Sequence, residues 1–457
     1  MKIIKNGILV SSTKTWHADI AIENDKITLI APEIKVNASD EVYDATGCYV
    51  FPGFIDGHTH FDMDAGAAHT ADDFVSGTKA AVINGTTTIV DFATQEKGQT
   101  LKEAYDVWMK KAKDKSSCNY RFHMAITDWN DKVKEEMNTM PELGITSFKM
   151  YMAYDNLISN DEEILDCLRK IKEIDGVLGV HCENGTLINA LTKEKIEAGE
   201  TAPNAHPASR PDYVEAEAIN RLAYISSLAG HPVNVVHLSS LAGLNEVRNA
   251  RKRGQEITVE TCPQYLLLDD HYYDLENFEG AKYVMSPPLR KVTDNKALIK
   301  AIVDGEIDTI ATDHCSFNFK NDKELGRNDF RKIPNGGPGV EHRPQLIYTY
   351  LVDAGHIDVS RMCQLISTNP AKRFGMYPQK GVLEVGSDAD IVIFTPNYEG
   401  EITWENQLQN VDYTPYEGFK VKGQAKTVFV NGKCVVDNAV IVKERQGTYV
   451  FGPRGVK

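Results

Sequence analysis

Two histidines that are one residue apart, His58 and His60, are the first residues whose type and spacing point to chemistry. In a β-strand, residues i and i+2 point to the same side, so both imidazoles can reach one ion. The pair alone is weak evidence, because two structural histidines would look the same. His181 and His237 each follow an apolar β-like run, however, and Asp313 follows another. Four histidines and an aspartate at strand ends together indicate a metal site.

Lys149 lies in the largely apolar run 146–153, where a free ammonium would be costly. One interpretation is a lysine that reaches water or pairs with an acid. The other starts from the ligand count: four histidines and one aspartate can hold two divalent ions, and two adjacent ions need a bridging anion. A lysine amine that has reacted with CO2 is a carbamate, which supplies such a bridge. The sequence is compatible with both interpretations.

Other catalytic motifs are missing from the sequence. It contains no G-x-S-x-G, no G-x-x-x-x-G-K-[ST] and no H-E-x-x-H. The glycine-rich segment 335–339 does not fit G-x-G-x-x-G and is predicted to be a loop. These absences disfavour a serine hydrolase, a P-loop enzyme and a zinc protease of the H-E-x-x-H type.

The elements that must position these residues form an alternating pattern. Helical patterns at 100–113, 161–173, 212–228 and 295–304 separate short β-branched or apolar runs. Strands that alternate with helices predict a parallel sheet, and eight strands predict a closed (β/α)8 TIM barrel. In such barrels the chemistry lies at the carboxyl ends of the strands, where the residues above are found. The eight runs are 49–55, 86–92, 120–126, 146–152, 177–181, 233–238, 257–261 and 309–312.

Both ends of the chain are rich in short strands. We expect strands at 3–11, 18–23 and 26–30, and again at 389–394, 427–431 and 434–436, with a hairpin turn at Asn431-Gly432. This pattern predicts a small β-sandwich domain built from both termini, residues 1–50 and 378–457, the latter including a C-terminal tail. The catalytic barrel is then residues 51–377.

Composition narrows the class of protein further. Lysine and arginine total 50 against 65 acids, a net charge of -15, which disfavours a nucleic-acid partner and favours a small-molecule substrate. No apolar stretch reaches the roughly 18 residues of a membrane span, and the first residues turn polar too early for a secretory signal. Eight scattered cysteines with no C-x-x-C pair disfavour a disulfide framework and favour the cytoplasm.

Several motifs together resemble the cyclic amidohydrolases, specifically the dihydropyrimidinase/D-hydantoinase family. The resemblance covers nearly the whole chain, and the set of motifs is highly specific. It implies a TIM barrel with a β-sandwich domain from the two termini, and a homotetramer. The matching stretches are FPGFIDGHTH at 51–60, ADDF at 71–74, SFK at 147–149, ETCPQYL at 260–266, SPPLR at 286–290, ATDHC at 311–315, PNG at 334–336 and PGVE at 338–341.

The resemblance assigns a role to each metal-ligating residue. His58 and His60 would hold the more buried ion together with Asp313, and His181 and His237 would hold the other. Lys149, as N6-carboxylysine, would bridge the two divalent ions. Zinc suits histidine and carboxylate ligands, and manganese and iron bind them as well.

The resemblance also assigns substrate contacts. Tyr154 would hydrogen-bond the substrate carbonyl, and the backbone at Ser286 and Asn335 would hold the cyclic amide. Asp313 would move a proton from the attacking water to the leaving nitrogen. The loop 61–68 has small residues where many hydantoinases have bulky ones, which is more similar to the phenylhydantoinase branch.

The expected reaction is hydrolysis of a cyclic amide bond in 5-substituted hydantoins, with D selectivity, and in dihydropyrimidines, giving N-carbamoyl amino acids. A dihydropyrimidinase or an allantoinase of pyrimidine or purine catabolism is the alternative. A dihydroorotase typically has an arginine just after H-x-H, where this chain has Phe61-Asp62. A non-enzymatic scaffold relative is disfavoured because every ligand position is filled.

Overall fold

The computed structural model describes residues 1–66 and 68–452, and these form two β-sheets surrounded by helices. Within this part of the chain, one sheet has eight parallel strands and the other has nine strands in a mixed arrangement. The strands are β1 Lys2–Val10, β2 Thr15–Glu23, β3 Lys26–Ala31, β4 Glu41–Asp44, β5 Tyr49–Pro52, β6 Phe54–Thr59, β7 Thr86–Thr94, β8 Asn119–Ala125, β9 Ser147–Tyr151, β10 Val177–His181, β11 Val233–Val235, β12 Ile257–Thr261, β13 Thr309–Ile310, β14 Ile391–Glu401, β15 Lys420–Val430, β16 Lys433–Asp437 and β17 Val440–Ile441.

Helices follow most strands of the parallel sheet. The α-helices are α1 Ser76–Ile83, α2 Leu101–Ala112, α3 Asp131–Glu136, α4 Asp161–Glu173, α5 Gly185–Glu197, α6 Ala205–Ser209, α7 Asp212–Ala229, α8 Leu241–Lys252, α9 Gln264–Leu267, α10 Val292–Val303, α11 Arg343–Ile347, α12 Val359–Cys363 and α13 Asn369–Arg373. Short 3-10 helices lie at Met140–Leu143, Asp270–Asp274, Glu279–Tyr283, Lys323–Gly326, Phe330–Lys332 and Trp404–Asn406, and π-helical turns at Tyr348–Asp353 and Gln364–Thr368.

The parallel sheet closes into a barrel. Its strands β6 to β13 are neighbours in sequence order, as right-handed βαβ crossovers produce. The first strand meets the segment that follows the last strand through an isolated bridge between Thr59 and His314, and the His60 amide donates to the His314 carbonyl at 2.8 Å. The Thr312 hydroxyl also donates to Asp56 at 2.7 Å. The carboxyl ends of all these strands therefore surround one opening.

The mixed sheet combines both termini. Strand β5 pairs parallel with β1 and antiparallel with β14, which joins the N-terminal strands to the C-terminal ones. Its apolar face, which includes Leu9, Ile20 and Phe429, is buried in a core of its own. The TIM barrel and the β unit from both termini that the sequence predicts are thus both present.

The predicted strand 49–55 is wrong as a single element. It is two strands in different sheets: β5 belongs to the mixed sheet, and β6 begins at Phe54 and continues to Thr59 in the barrel. Gly53 separates them, and a Cβ at this position would lie 1.9 Å from the Thr87 hydroxyl oxygen. The chain can turn from one sheet to the other here because glycine permits this close approach.

Two other predicted strands are too long. The sixth run ends at Val235 and the eighth at Ile310, because the backbone then leaves the extended region. His237 and Asp313 have φ angles of 39° and 54°. In contrast, the predicted helix 161–173 is α4 residue for residue, and Asn160 caps it because its side-chain oxygen accepts a hydrogen bond from the Glu163 amide.

No helix in residues 1–66 and 68–452 is long and apolar enough to cross a membrane. Within the same ranges the eight cysteines are buried and free of disulfide bonds.

Candidate metal and active site

Three of the predicted metal ligands converge at the barrel opening. Asp313 Oδ1 lies 3.0 Å from His58 Nε2 and 3.2 Å from His60 Nε2. One ligand atom from each residue lies within 4.8 Å of the others, an arrangement that could hold a metal ion. The end of β6 and the residue that follows it place the two imidazoles on one side, and the loop after β13 brings Asp313 to them.

The other predicted pair lies beside this group. His181 Nδ1 is 3.0 Å from His237 Nε2. The ring of His237 also lies 5.6 Å, centroid to centroid, from the ring of His58. The four histidines, which come from β6 and the residue after it, from β10 and from the segment after β11, therefore form one continuous group.

Lys149 lies in the same group on β9. Its side chain is 2% exposed, and Nζ is 3.3 Å from His58 Nε2 and 4.7 Å from the centroid of the Phe92 ring. Burial lowers the pKa of Lys149 to about 8. The ammonium is not extended into solvent, so the interpretation of a lysine that reaches water does not hold.

Two buried glutamates orient the histidines, and sequence reasoning assigned neither of them a role. Glu260 Oε1 is 2.7 Å from His58 Nδ1, and Glu183 Oε2 is 2.8 Å from His181 Nε2. Each carboxylate thus hydrogen-bonds one ring nitrogen of its histidine, while the other ring nitrogen faces the ligand group. Outer carboxylates orient histidine ligands in this way in metal sites. The strand-end rule could have indicated Glu260, the penultimate residue of β12, but its histidine partner is 202 positions away.

Arg210 completes the second of these pairs. Its Nη1 donates to Glu183 Oε2 at 2.7 Å, and its guanidinium lies 5.4 Å from the centroid of the Tyr154 ring. Burial alone would raise the pKa of Glu183, but the charge of Arg210 and the hydrogen bond with His181 lower it to about 2. Glu183 is therefore ionised at neutral pH.

Three predicted site residues have left-handed backbone conformations. Their φ angles are 70° at Tyr154, 39° at His237 and 54° at Asp313. Such angles are uncommon for residues other than glycine and persist only where surrounding contacts fix them. The conformation directs these side chains toward the opening at the cost of local strain.

A cleft of about 720 Å³ opens above the ligand group. It is lined by the predicted substrate residues Tyr154, Ser286 and Asn335 and by His60, Lys149, His181, His237 and Asp313. Among the described residues, the buried Ser286 Oγ and Asn335 Oδ1 have no hydrogen-bond partner. The structure therefore brings every predicted site residue except His58 to the lining of one cleft, and His58 contacts two of the lining residues, Lys149 and Asp313.

Apolar side chains form one side of this cleft. Met63 and Tyr151 line it, as do Val107 and Trp108 of α2. Of the small loop residues 65–68, Ala67 lies outside the described residues.

A sequence model of the amidohydrolase family matches residues 49–435. The chain belongs to the amidohydrolase family. It is 45% identical over 452 residues to a D-hydantoinase of Geobacillus stearothermophilus, covering 98% of this chain and 96% of that one. It is 42% identical over 439 residues to a D-phenylhydantoinase of Escherichia coli O1:K1 / APEC, covering 94% and 95%. The crystal structure of a dihydropyrimidinase from Brevibacillus agri NCHU1002 superposes with a TM-score of 0.97 at 42% identity, covering 100% of this chain and 99% of that one.

Proposed function

We propose that this protein is a cyclic amidohydrolase that opens the ring of 5-substituted hydantoins, with D selectivity, and of dihydropyrimidines. The products are N-carbamoyl amino acids. The observation that carries the proposal is the cleft in which the histidine, aspartate and lysine group faces Tyr154, Ser286 and Asn335. The relatives named D-hydantoinase, D-phenylhydantoinase and dihydropyrimidinase support the substrate class.

We infer that the site holds two divalent ions. Asp313 Oδ1, His58 Nε2 and His60 Nε2 would hold one, and His181 Nδ1 and His237 Nε2 would hold the other. Imidazole and carboxylate donors favour zinc as the metal. Ions bound here would lower the pKa of a water molecule and polarise a carbonyl oxygen.

Lys149 is proposed to carry the bridging carboxylate as N6-carboxylysine. In this reaction the amine nitrogen bonds to the carbon of CO2 and releases one proton, leaving a carbamate. Only the neutral amine reacts, and burial favours it by lowering the pKa of Lys149 to about 8. The negative charge of the carbamate would offset the repulsion between two adjacent cations.

Side chains and backbone groups of the protein stabilise the oxyanion, transfer the proton and bind the ring. Burial raises the pKa of Tyr154, so its hydroxyl stays protonated and can donate to the developing oxyanion. Asp313, whose Oδ1 lies against His58 and His60, takes the proton of the attacking water and delivers it to the leaving nitrogen. The backbone at Ser286 and Asn335 holds the cyclic amide in place.

The apolar side of the cleft selects the ring substituent. Met63, Tyr151, Val107 and Trp108 offer a wall for an aromatic group, and no arginine follows His60 to hold a charged substituent. D-5-phenylhydantoin is therefore expected to be a better substrate than dihydrouracil.

The test compares kcat/KM for D-5-phenylhydantoin, its L enantiomer, dihydrouracil and allantoin on purified protein. A Tyr154→Phe preparation made in parallel excludes contaminating host activity, since E. coli itself has a D-phenylhydantoinase. A clear preference for D-5-phenylhydantoin supports the proposal. A preference for dihydrouracil would reassign the enzyme to pyrimidine catabolism, a preference for allantoin would reassign it to purine catabolism, and no activity would refute the proposal.

A homotetramer in the cytoplasm is proposed as the working form. Tyr213, Tyr224 and Leu228 lie on one face of α7 and are 75%, 53% and 70% exposed, which supports association through an apolar surface. The eight free buried cysteines are compatible with a reducing compartment. Light scattering after size-exclusion chromatography measures the assembly, and a monomer at all concentrations would contradict it.

A further inference from the structure

Lys323 is a buried lysine to which neither the sequence nor the proposed mechanism gives a role. It is the first residue of the 3-10 helix Lys323–Gly326 and is 0% exposed. Its Nζ donates to three backbone carbonyls, at 2.8 Å to Val284, 3.0 Å to Pro334 and 2.7 Å to Gly336. These three hydrogen bonds use every N–H group of an ammonium.

The three carbonyls flank the two residues proposed to hold the substrate ring. Val284 lies two residues before Ser286, and Pro334 and Gly336 lie on either side of Asn335. One ammonium therefore joins the segments 284–286 and 334–336 at a single point. The Gly336 amide adds a direct hydrogen bond to the Val284 carbonyl at 3.1 Å.

Stability alone does not account for an ammonium in this place. Within the described part of the chain, Lys323 forms no salt bridge, and burial, which disfavours the charged form, lowers its pKa. A buried charge without an opposite charge costs several kcal/mol even when it is hydrogen-bonded. Lys380, which is 3% exposed, differs because it contacts both Asp388 and Asp390.

The surrounding backbone leaves little room for the segment 334–336 to rearrange. Gly336 has a φ angle of 144°, and a Cβ at this position would lie 2.4 Å from the carbonyl oxygen of Cys315. The peptide groups next to Asn335 are therefore tightly packed on one side and held by Lys323 on the other. Their orientation determines where the backbone groups of Asn335 point into the cleft.

We propose that Lys323 is a positioning residue for substrate binding: its ammonium fixes the segments 284–286 and 334–336 relative to each other, so that their backbone groups match a cyclic diamide. This inference rests on the proposed function, because it assumes that Ser286 and Asn335 contact the ring. The ammonium itself touches neither the substrate nor the reacting atoms.

The expected changes in kcat and KM follow from the kind of contact that the substitution weakens. Backbone contacts to the ring exist in both the bound substrate and the transition state, so loosening them raises KM and leaves kcat nearly unchanged. A purely structural role predicts the opposite, because a smaller folded fraction lowers the apparent kcat and leaves KM unchanged.

The experiment measures kcat and KM of metal-loaded wild-type enzyme, Lys323→Met and Lys380→Met with the best cyclic diamide substrate of the wild type. Lys380→Met is the matched control, since it also removes a buried ammonium but lies in contact with Asp388 and Asp390. We expect Lys323→Met to raise KM at least about tenfold with kcat per folded molecule within about threefold, and Lys380→Met to keep the wild-type KM. A KM within about twofold of wild type for Lys323→Met would overturn the inference.

Hydrogen–deuterium exchange tests the same inference without substrate. Peptides that cover 284–286 and 334–336 should exchange faster in Lys323→Met, while the peptide that covers β9 should not change. Unchanged exchange in both segments would overturn the positioning role, even if wild-type enzyme hydrolyses none of the cyclic diamides and the proposed function fails. If Lys323→Met does not fold, Lys323→Gln, which keeps two N–H donors, is measured in the same way against the same criteria.

Discussion

Replacing Glu260 by glutamine should weaken metal binding without removing a metal ligand. Glu260 is 1% exposed, and its Oε1 lies 2.7 Å from His58 Nδ1. The same oxygen accepts a longer hydrogen bond from the His237 amide at 3.4 Å, so the carboxylate contacts both pairs of histidines. Glutamine keeps the size of the side chain and one acceptor oxygen but removes the negative charge.

The size of the expected loss in metal affinity follows from that lost charge. A hydrogen bond that involves a charged group contributes about 1.5–3 kcal/mol, and outer carboxylates of metal sites typically change affinity by about ten- to hundredfold. Glu260→Gln should therefore bind the ion at His58 roughly ten- to hundredfold more weakly, which corresponds to about 1.4–2.7 kcal/mol. Because glutamine can still accept from Nδ1–H, the orientation of the ring should be preserved.

The assay titrates wild-type and variant protein with a chelator and measures the bound metal by elemental analysis. Glu341→Gln is the control, since this buried glutamate accepts hydrogen bonds from the amides of Leu408 and Gln409 instead of a histidine. Its metal retention should equal that of wild type. Equal retention in Glu260→Gln at every chelator concentration would refute the idea that this carboxylate strengthens the ligand set.

Wild-type protein purified without chelators should contain about two ions per chain, and Lys149→Ala should lose metal and activity together; an active, metal-free preparation would contradict both expectations. Asp313→Asn should lower kcat at least about a hundredfold, and a near-normal kcat would leave Asp313 as a ligand only. Lys380→Met should lower the free energy of unfolding by about 3–5 kcal/mol, because Asp390 remains buried without a cation and Asp388 keeps only Lys26; urea denaturation measures it, and a loss below about 1 kcal/mol would show that the carboxylates find other partners.

The predictable part of the site is the part that depends on local pattern. The run 177–181 is β10 residue for residue, and His181 at its end points into the opening. The same rule, a polar residue after a buried strand, located His237 and Asp313. Strand periodicity and the direction of a parallel barrel are enough to place such residues, since each needs information from only a few neighbours.

The parts that sequence reasoning missed depend on contacts between distant segments. The split between β5 and β6 falls at Pro52-Gly53 within an otherwise apolar run, and the approach of Thr87 to Gly53 explains it. Glu260 and Lys323 look like ordinary charged residues until their partners across the fold are known. Tertiary packing decides which carboxylate contacts which histidine and which ammonium contacts which carbonyl. A local sequence pattern does not contain this information.

The seam between the first and last barrel strands has a consequence for biosynthesis. The groups that close it, such as Asp56 and Thr312, are 256 positions apart, and Asp313 reaches His58 and His60 only across this seam. A nascent chain that still lacks β13 already carries all four histidines, yet it cannot assemble the three-residue group. A ligand that binds only the complete three-residue group stabilises the closed barrel and does not stabilise the incomplete one. Metal uptake at this position therefore reports that synthesis has passed residue 313 and that the ring of strands has closed.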